Sequence, residues 1–370
     1  MPEREPNPTV AKLLRTDWSI VLIGRSVAHS GIRCVRVLGI WIQRRLDSEG
    51  DGMAQASKYE TWPVRGRLRG KNGKKSRDVS GIDCATAQGF PRAGLVIDDN
   101  MQEAQFVSVK DGEIVAGDMI TLIDDSFDGK HLELDGESVA YAGGYFYVIG
   151  SHGHPRDSKR RLHPDKDAAR IAAQIAASSQ IVRFRSDGAQ ATGPIERTAK
   201  LRTLIAQQPD LSSYQDRRLE KNGLTIEGIA VRRGRILVGF RGPPLKGGRA
   251  AVLSVAVEGV FGKAAPDARL YRLPLGKGTS VRDLATFGDG VLVLAGPIGS
   301  GPGPFEIYWW DGVSDNARLL KNLADVVGKS GKWKAEALLP LDEDASGLRI
   351  LVLFDGQKEA APVVVSVRRP

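Results

Sequence analysis

The sequence predicts an all-β fold, a five-bladed β-propeller built from four-stranded antiparallel blades. Three observations predict this class. Short apolar runs of strand length alternate with glycine-containing turns from about residue 59 to the end of the chain. Two short segments recur together five times, and further strand-like runs follow each pair. Because regular recurrence of one unit is the signature of a repeat architecture, we assign 59–370 to the propeller.

The first repeated segment is the innermost strand of each blade. The residues that match near its start are Ser80, Asp135, Glu227, Arg282 and Glu336. Subtraction gives intervals of 55, 92, 55 and 54 residues, so one unit is long. The extra length lies at 153–178, which reads as a basic loop followed by a helix, and it leaves six blades open as an alternative.

The outer strands complete the blade pattern. Fourth strands are predicted at 119–123, 199–205, 268–275 and 317–323. The last unit runs out of chain after its third strand, whereas the segment 61–70 stands unpaired before the first unit. We expect 61–70 to supply the missing strand and close the ring, because closure removes exposed sheet edges.

Residues 1–52 are expected to lie outside the fold. Their apolar stretch is interrupted by Arg25, Arg33 and Arg36, so no membrane span is predicted. The repeats begin only after Met53. The extension is therefore interpreted either as disordered or as the result of a misassigned start, with Met53 as the true first residue.

Charge and cysteine content limit the class of partner. The formal net charge is +9, but the excess is spread along the chain with no aromatic-interleaved basic motif, so nucleic acid is an unfavoured partner. Cys34 and Cys84 show no metal-ligand spacing and indicate no disulfide framework. That usage is typical of a reducing compartment and predicts a cytoplasmic protein.

The propeller topology predicts where a functional site lies. In an antiparallel hairpin, the start of one strand lies beside the end of the next. The ends of the second strands should therefore ring the same channel mouth as the starts of the first. The residues at those ends are Asp99, Ser151, Arg241, Gly296 and Asp355, with His152 one step beyond Ser151.

Carboxylates dominate this predicted mouth. Like charges that converge in a narrow space need a cation, protonation or pairing with arginine. Ca²⁺ binds oxygen ligands, so one interpretation is a calcium site. Its expected ligands are Asp135, Glu227, Glu336 and Asp355. The other interpretation is a structural lattice in which Arg241 and Arg282 neutralise the acids and tie the blades together.

Two function hypotheses follow from these residues. In the first, the mouth binds a metal or a small anionic ligand and acts as a metal-assisted hydrolase. Glu227 and Asp135 would then hold a cation or activate water, and His152 would assist proton transfer. The residues expected to hold the ligand are Arg241, Arg282, Asp99 and Ser151. In the second, the propeller is a non-catalytic interaction scaffold for a protein partner, and the charges are structural.

Several phrases of the chain resemble a known family. They are GYFYVIGSH (144–152), LTIEGIAV with ILVGFRGP (224–243), VRDLA with VLVLAGP (281–297) and ILVLFDG (350–356). Together they resemble an uncharacterised bacterial propeller family, domain of unknown function 3616, over roughly 60–367. That family is distantly similar to esterase-like phytase propellers. The resemblance implies a hydrolase of phosphate or ester bonds and transfers no catalytic residues.

Overall fold

The computed structural model describes residues 59–156, 162–328, 332–344 and 347–369. The predicted extension 1–52 and its proposed start at Met53 lie outside the described residues. The propeller begins at Tyr59, next to the predicted boundary.

In the described part of the chain, 21 of the 23 strands form five blades in chain order, and the other two form a separate hairpin. The chain opens with two short strands, β1 (Glu60–Thr61) and β2 (Val64–Arg65). Blade 1 comprises β3 (Val79–Cys84), β4 (Arg92–Asp98), β5 (Glu103–Lys110) and β6 (Glu113–Thr121), with β2 added in parallel to β6. A small hairpin follows, β7 (Ser126–Phe127) and β8 (Lys130–His131). Blade 2 comprises β9 (Gly136–Ala142), β10 (Tyr145–Gly150), β11 (Ile181–Arg185) and β12 (Glu196–Thr198).

The remaining blades follow the same order. Blade 3 comprises β13 (Thr225–Arg232), β14 (Arg235–Gly242), β15 (Ala250–Ala256) and β16 (Arg269–Leu273). Blade 4 comprises β17 (Thr279–Phe287), β18 (Gly290–Pro297), β19 (Glu306–Trp310) and β20 (Ala317–Asn322). Blade 5 comprises β21 (Lys334–Asp344), β22 (Gly347–Asp355), β23 (Val363–Val367) and β1.

The blades close into a ring through their innermost strands. β3 contacts β9, β9 contacts β13, β13 contacts β17, β17 contacts β21, and β21 contacts β3. Apolar faces of neighbouring blades pack together in the interior; one such cluster joins Val96 of blade 1 to Leu351 of blade 5. The predicted five-bladed fold is therefore confirmed, and the six-blade alternative is wrong.

The ends of the chain close the last blade. Thr61 of β1 pairs with Val363 of β23, and the Trp62 amide donates to the Pro362 carbonyl at 2.9 Å. Only the start of the predicted segment 61–70 does this, since Val64 pairs in blade 1 with Ile114. The N-terminal segment thus links the first and last blades.

Short helices decorate the ring. They are α1 (Ala168–Ser178), α2 (Lys200–Ala206), α3 (Val257–Phe261) and α4 (Ala324–Val327), with 3₁₀ turns at Lys71–Gly73, Ser212–Tyr214, Leu219–Lys221 and Lys358–Ala360. The predicted strand 199–205 is wrong, because α2 occupies this segment and β12 precedes it. Leu201, Leu204 and Ile205 are buried at the three- and four-residue spacing of one helix face.

Candidate functional site: the channel mouth

A β-bulge at the start of every innermost strand builds the mouth. In each blade the pairing register between the first and second strands shifts, and one residue of the first strand is left without a partner. These five residues, here named the bulge ring, are Ser80, Glu137, Glu227, Arg282 and Glu336. All five are buried. Bulges re-aim side chains, which brings charged groups from separate blades together.

The bulge register corrects one predicted position. Asp135 was aligned with Ser80 and Glu227, but it precedes β9, and the residue at the bulge of blade 2 is Glu137. The error arose because the preceding loop of blade 2 also presents an acid beside a glycine. Asp135 nevertheless lies nearby, since its negative charge acts on Glu137.

Blades 3, 4 and 5 form a compact ion-pair lattice. Glu227 Oε1 lies 2.7 Å from Arg241 Nη1, and Glu227 Oε2 lies 3.3 Å from Arg282 Nη2. Arg282 also pairs with Glu336. Arg241 in addition donates to the carbonyls of Ile298 at 2.8 Å and Gly299 at 3.2 Å. This part of the mouth realises the predicted arginine lattice.

The two glutamates of the lattice, Glu227 and Glu336, have very different pKa values. Burial alone would raise the pKa of Glu227, but the positive charges of Arg241, Arg282 and Arg156 lower it to about 2. Burial raises the pKa of Glu336 to about 7 despite its pairing with Arg282, and the charge of Glu227 adds to the rise. Glu227 is therefore ionised at neutral pH and is a weak base.

Blades 1 and 2 carry a run of acidic residues with few positive charges beside them. Within the described part of the chain, one group of potential metal ligands has carboxylate oxygens within 4.8 Å of one another: Asp78, Asp98 and Asp99. Asp135 and Glu137 continue this run toward Glu227, as their mutual charge effects show. We name these five residues the acidic arc.

Every carboxyl of the acidic arc has a raised pKa. Burial is the largest cause in each case, and neighbouring carboxylates add to it. The pKa of Asp98 is raised to about 6, although the Ser76 hydroxyl donates to it at 2.5 Å and the Asn100 amide at 3.0 Å. The pKa values of Asp99 and Glu137 lie well above their ordinary range. Burial, and with it the charges of Glu227 and Asp135, therefore favours the protonated form of Glu137.

Unpartnered polar atoms concentrate at this mouth. Among the described residues, three buried side-chain atoms of the bulge ring have no hydrogen-bond partner: Glu137 Oε1, Glu227 Oε2 and Arg282 Nε. Glu137 is 3% exposed and Glu227 1%. Buried polar groups of native proteins are nearly always hydrogen-bonded, so three exceptions on neighbouring inner strands set this mouth apart from an ordinary packed interior.

Arg156 covers the junction between the acidic arc and the lattice. Its Nη2 lies 3.5 Å from Glu227 Oε1, and its side chain is 52% exposed. Its charge also acts on Glu137, Asp135 and Asp99. Glu227 belongs to the lattice, whereas the other three carboxyls belong to the acidic arc. Arg156 is therefore the cation that acts on both halves of the mouth.

His152 is buried and is not exposed at the channel mouth. The ring is fully buried, its Nδ1 is 2.9 Å from the Gly150 carbonyl, and its Nε2 has no partner. Burial, with a smaller contribution from the charge of Arg202, lowers its pKa to about 4. His152 is neutral at physiological pH. It adopts φ +54, in the left-handed region that few residues other than glycine occupy.

A hydrogen bond across the channel forms the floor of the mouth. Ser138 of blade 2 donates through its Oγ to Asp283 Oδ1 of blade 4 at 2.7 Å. The other oxygen of Asp283 accepts from the Leu338 amide of blade 5 at 2.8 Å. Both side chains are buried and lie one residue beyond their bulges. The bond spans two non-adjacent blades directly below the bulge ring.

The structure brings some predicted residues together and separates others. Glu227, Arg241, Arg282 and Glu336 meet in the lattice, and Asp99 lies in the acidic arc. Asp135 joins that arc, where the Ser151 hydroxyl hydrogen-bonds to its carboxylate. Asp355 pairs instead with Lys334 at 3.6 Å. The four expected Ca²⁺ ligands therefore do not share one coordination site among the described residues.

Sequence reasoning missed four participants: Asp78, Asp98, Glu137 and Arg156. Asp98 and Asp99 are consecutive, and only the ladder shows that the strand ends between them. Glu137 was hidden by the choice of Asp135 as its counterpart. Arg156 lies in the segment 153–178 that reads as a basic loop and a helix, and nothing in the sequence places it over Glu227.

The fold and the mouth define a class: a five-bladed propeller with a charged, buried ring at one end of its channel. A family model described as a protein of unknown function (DUF3616) matches residues 96–185 and 185–363. The chain belongs to this family, which confirms the resemblance seen in the sequence. The further likeness to phytases is not confirmed. No curated protein matches the sequence.

Solved structures with similar folds are distant. An exo-β-1,3-galactanase from Phanerochaete chrysosporium is 7% identical with a TM-score of 0.42, over 81% of this chain and 62% of that one. A GH43 endo-arabinanase from Bacillus licheniformis is 10% identical with a TM-score of 0.35, over 82% and 95%. The extracellular domain of a putative hybrid two-component system, BT4673 from B. thetaiotaomicron, is 8% identical with a TM-score of 0.33, over 81% and 28%. At these values the likenesses carry no argument about ligand or activity.

In the first and last of these three proteins, the match covers less than two thirds of the length. Among the described residues, no helix is long and apolar enough to cross a membrane.

Proposed function

We propose that the channel mouth binds a cation and that the acidic arc receives it. The observation that carries this proposal is the raised pKa of all five arc carboxyls, together with the unpartnered Glu137 oxygen. Buried carboxylates that raise one another's pKa lose free energy when they ionise, and a bound cation removes that cost. The chain as a whole is basic, so this local excess of acid runs against its overall charge.

Ca²⁺ is the ion that this donor set fits. Asp78, Asp98 and Asp99 offer only carboxylate oxygens, within 4.8 Å of one another. Ca²⁺ takes oxygen ligands in flexible geometry, whereas Zn²⁺ sites use nitrogen and sulfur. The proposed ligand set thus moves from Asp135, Glu227, Glu336 and Asp355 to Asp78, Asp98 and Asp99, and the Arg-bound Glu227 serves to anchor the lattice.

The test is a calcium titration of the full chain. Isothermal titration of EDTA-treated protein with CaCl₂ should give one site, and Asp99→Asn should weaken it by about tenfold or more because a ligand charge is lost. Asp118→Asn, an exposed aspartate on β6, is the matched control and should bind as the unaltered chain does. Absence of binding in the unaltered chain, or equal affinity in Asp99→Asn, would overturn the calcium site.

A second candidate function, metal-assisted hydrolysis of a phosphoester or ester, rests on one observation. Burial and neighbouring carboxylates raise the pKa of Glu137 well above its ordinary range, while the arginines around Glu227 lower its pKa to about 2. Carboxyls whose pKa values are pushed apart are typical of acid–base sites. Water would add to the phosphorus or acyl carbon, Glu137 would give its proton to the departing alkoxide, and the water's proton would pass to Glu336, whose pKa is about 7.

This hydrolytic role also locates the anionic group of a substrate. Arg241 is held by Glu227 and two carbonyls, so Arg156 and the unpartnered Arg282 Nε are better placed to bind a phosphoryl or carboxylate oxygen. Hydrolysis of p-nitrophenyl phosphate and p-nitrophenyl acetate should depend on CaCl₂ and fall in Glu137→Gln, while Asp118→Asn keeps it. Calcium binding without turnover would leave a non-catalytic propeller, such as an interaction scaffold.

A further inference from the structure

Arg156 occupies the mouth as a loosely held internal cation. Among the described residues its one ion pair is with Glu227 at 3.5 Å, and its side chain is 52% exposed. Arg241 provides the contrast on the same glutamate. It lies at 2.7 Å, is 4% exposed and is fixed by two backbone carbonyls. Two arginines therefore share one carboxylate, one tightly and one at the limit of an ion pair.

The acids under Arg156 are not satisfied by it. In the part of the chain that the structure describes, Glu137 Oε1 and Glu227 Oε2 have no hydrogen-bond partner, although both residues are almost completely buried and Glu227 Oε2 lies 3.3 Å from Arg282 Nη2. A guanidinium carries five N–H donors in a planar fork, which can serve two carboxylates at once. Arg156 is near enough to act on both charges, yet it completes neither hydrogen-bond set.

We propose that this part of the mouth is a binding site for a small organic cation with a guanidinium or primary ammonium group, and that Arg156 is its intramolecular stand-in. The ligand's N–H groups would donate to Glu137 Oε1 and Glu227 Oε2, and Arg156 would move outward into solvent. The inference rests on the proposed function that the mouth takes a cation, and it assigns an organic cation to the Glu137 end and Ca²⁺ to the Asp98 end.

Charges that face this site come from four blades. Glu137 and Asp135 lie on the blade 2 side and Asp99 on blade 1, whereas Glu227 and Arg241 belong to blade 3 and Arg282 to blade 4. Two of the arginines are committed to Glu227 and Glu336. Displacement of Arg156 therefore leaves the acidic arc to be neutralised by the incoming cation.

The experiment compares a cation with its neutral isostere. N-butylguanidinium and N-butylurea are titrated calorimetrically into the unaltered chain, Arg156→Gln and Arg170→Gln, an exposed control on α1. Removal of an internal competitor should tighten N-butylguanidinium binding by about tenfold in Arg156→Gln. Arg170→Gln should bind like the unaltered chain, N-butylurea should not bind, and Glu137→Gln with Arg156→Gln should lose the gain.

The outcomes separate the two proposals. If Arg156→Gln binds Ca²⁺ but shows no gain for N-butylguanidinium, the organic-cation site is wrong and the calcium site stands. If neither cation binds, both fail. Should Arg156→Gln not fold, the unaltered chain decides: millimolar N-butylguanidinium must raise its melting temperature, and the rise must vanish in Glu137→Gln. A rise of equal size in Glu137→Gln overturns the inference.

Discussion

Both halves of the channel mouth bury carboxyl groups, but the charges that surround these groups differ between the two halves. In blades 3 to 5, Glu227 meets Arg241 and Arg282, and its pKa falls to about 2. In blades 1 and 2, Asp99 and Glu137 meet mainly other acids, and their pKa values rise well above the ordinary range. Both halves are built by the same bulge, so position in the repeat sets where a charge lies, and its neighbours set what that charge can do.

The largest effect is expected from a substitution that disrupts the ion-pair lattice of blades 3 to 5. Glu227→Gln leaves Arg241 and Arg282 buried with one counter-charge fewer, and loss of a buried partner costs about 3–5 kcal/mol. Chemical denaturation at pH 7 should show this loss in the free energy of unfolding, with Asp118→Asn close to the unaltered chain. A change below 1 kcal/mol would mean that the lattice contributes little.

The low pKa of Glu227 also fixes the sign of its pH dependence. Its folded pKa lies below its ordinary value near 4.5, so its contribution is present above that value and is lost as pH falls toward 2. The stability difference between the unaltered chain and Glu227→Gln should therefore shrink on acidification below about pH 4.

A smaller effect of opposite sign is expected in the acidic arc. Raised carboxyl pKa values stabilise the fold below the ordinary pKa, and this stability is lost as pH rises through the raised value, which for Asp98 is about 6. The melting temperature should therefore fall between pH 4 and pH 7, by a few degrees for each kcal/mol. Asp99→Asn should reduce this fall, because it removes one of the mutually repelling charges.

Added calcium gives a second test of the repulsion in the acidic arc, with the same measurement of melting temperature. Saturating CaCl₂ should restore the melting temperature at pH 7 in the unaltered chain and have less effect in Asp99→Asn. An identical pH profile in both proteins would show that the arc carboxylates do not repel one another in the folded chain.

The smallest expected effect distinguishes two glutamates of the bulge ring. The pKa of Glu336 is about 7, so its ionised form is disfavoured by folding and is half populated at neutral pH. Glu336→Gln should cost less than about 1 kcal/mol at pH 6, and its stability relative to the unaltered chain should rise as pH increases to 8. Guanidinium denaturation at the two pH values measures the difference. A loss equal to that of Glu227→Gln would contradict the separation of their pKa values.

Most of the fold could be predicted from the sequence repeat, because blade strands are apolar runs with turns at nearly constant spacing. Bulges are not visible in such runs, since one extra residue changes neither composition nor length enough to be recognised. Asp135, two residues before Glu137, was therefore taken as the counterpart of Glu227. Segment 199–205 was read as a strand because Leu201, Leu204 and Ile205 fit either period in so short a stretch.

Half of the site could be predicted for a physical reason. Glu227, Arg241, Arg282 and Glu336 lie on strands, and strand order fixes their neighbours. Arg156 and Asp78 lie on connections whose path depends on packing between blades, which the chain does not reveal locally. Prediction thus succeeded for these four strand residues and failed for the two loop residues, while Glu137 was missed on a strand because a bulge sets its position.

The bond between Ser138 and Asp283 has a consequence for how the blades are held together. Asp283 of blade 4 accepts from Ser138 of blade 2 through one oxygen and from the Leu338 amide of blade 5 through the other. A single carboxylate therefore links three of the five blades, so loss of this one side chain would remove an inter-blade contact from three inner strands at once.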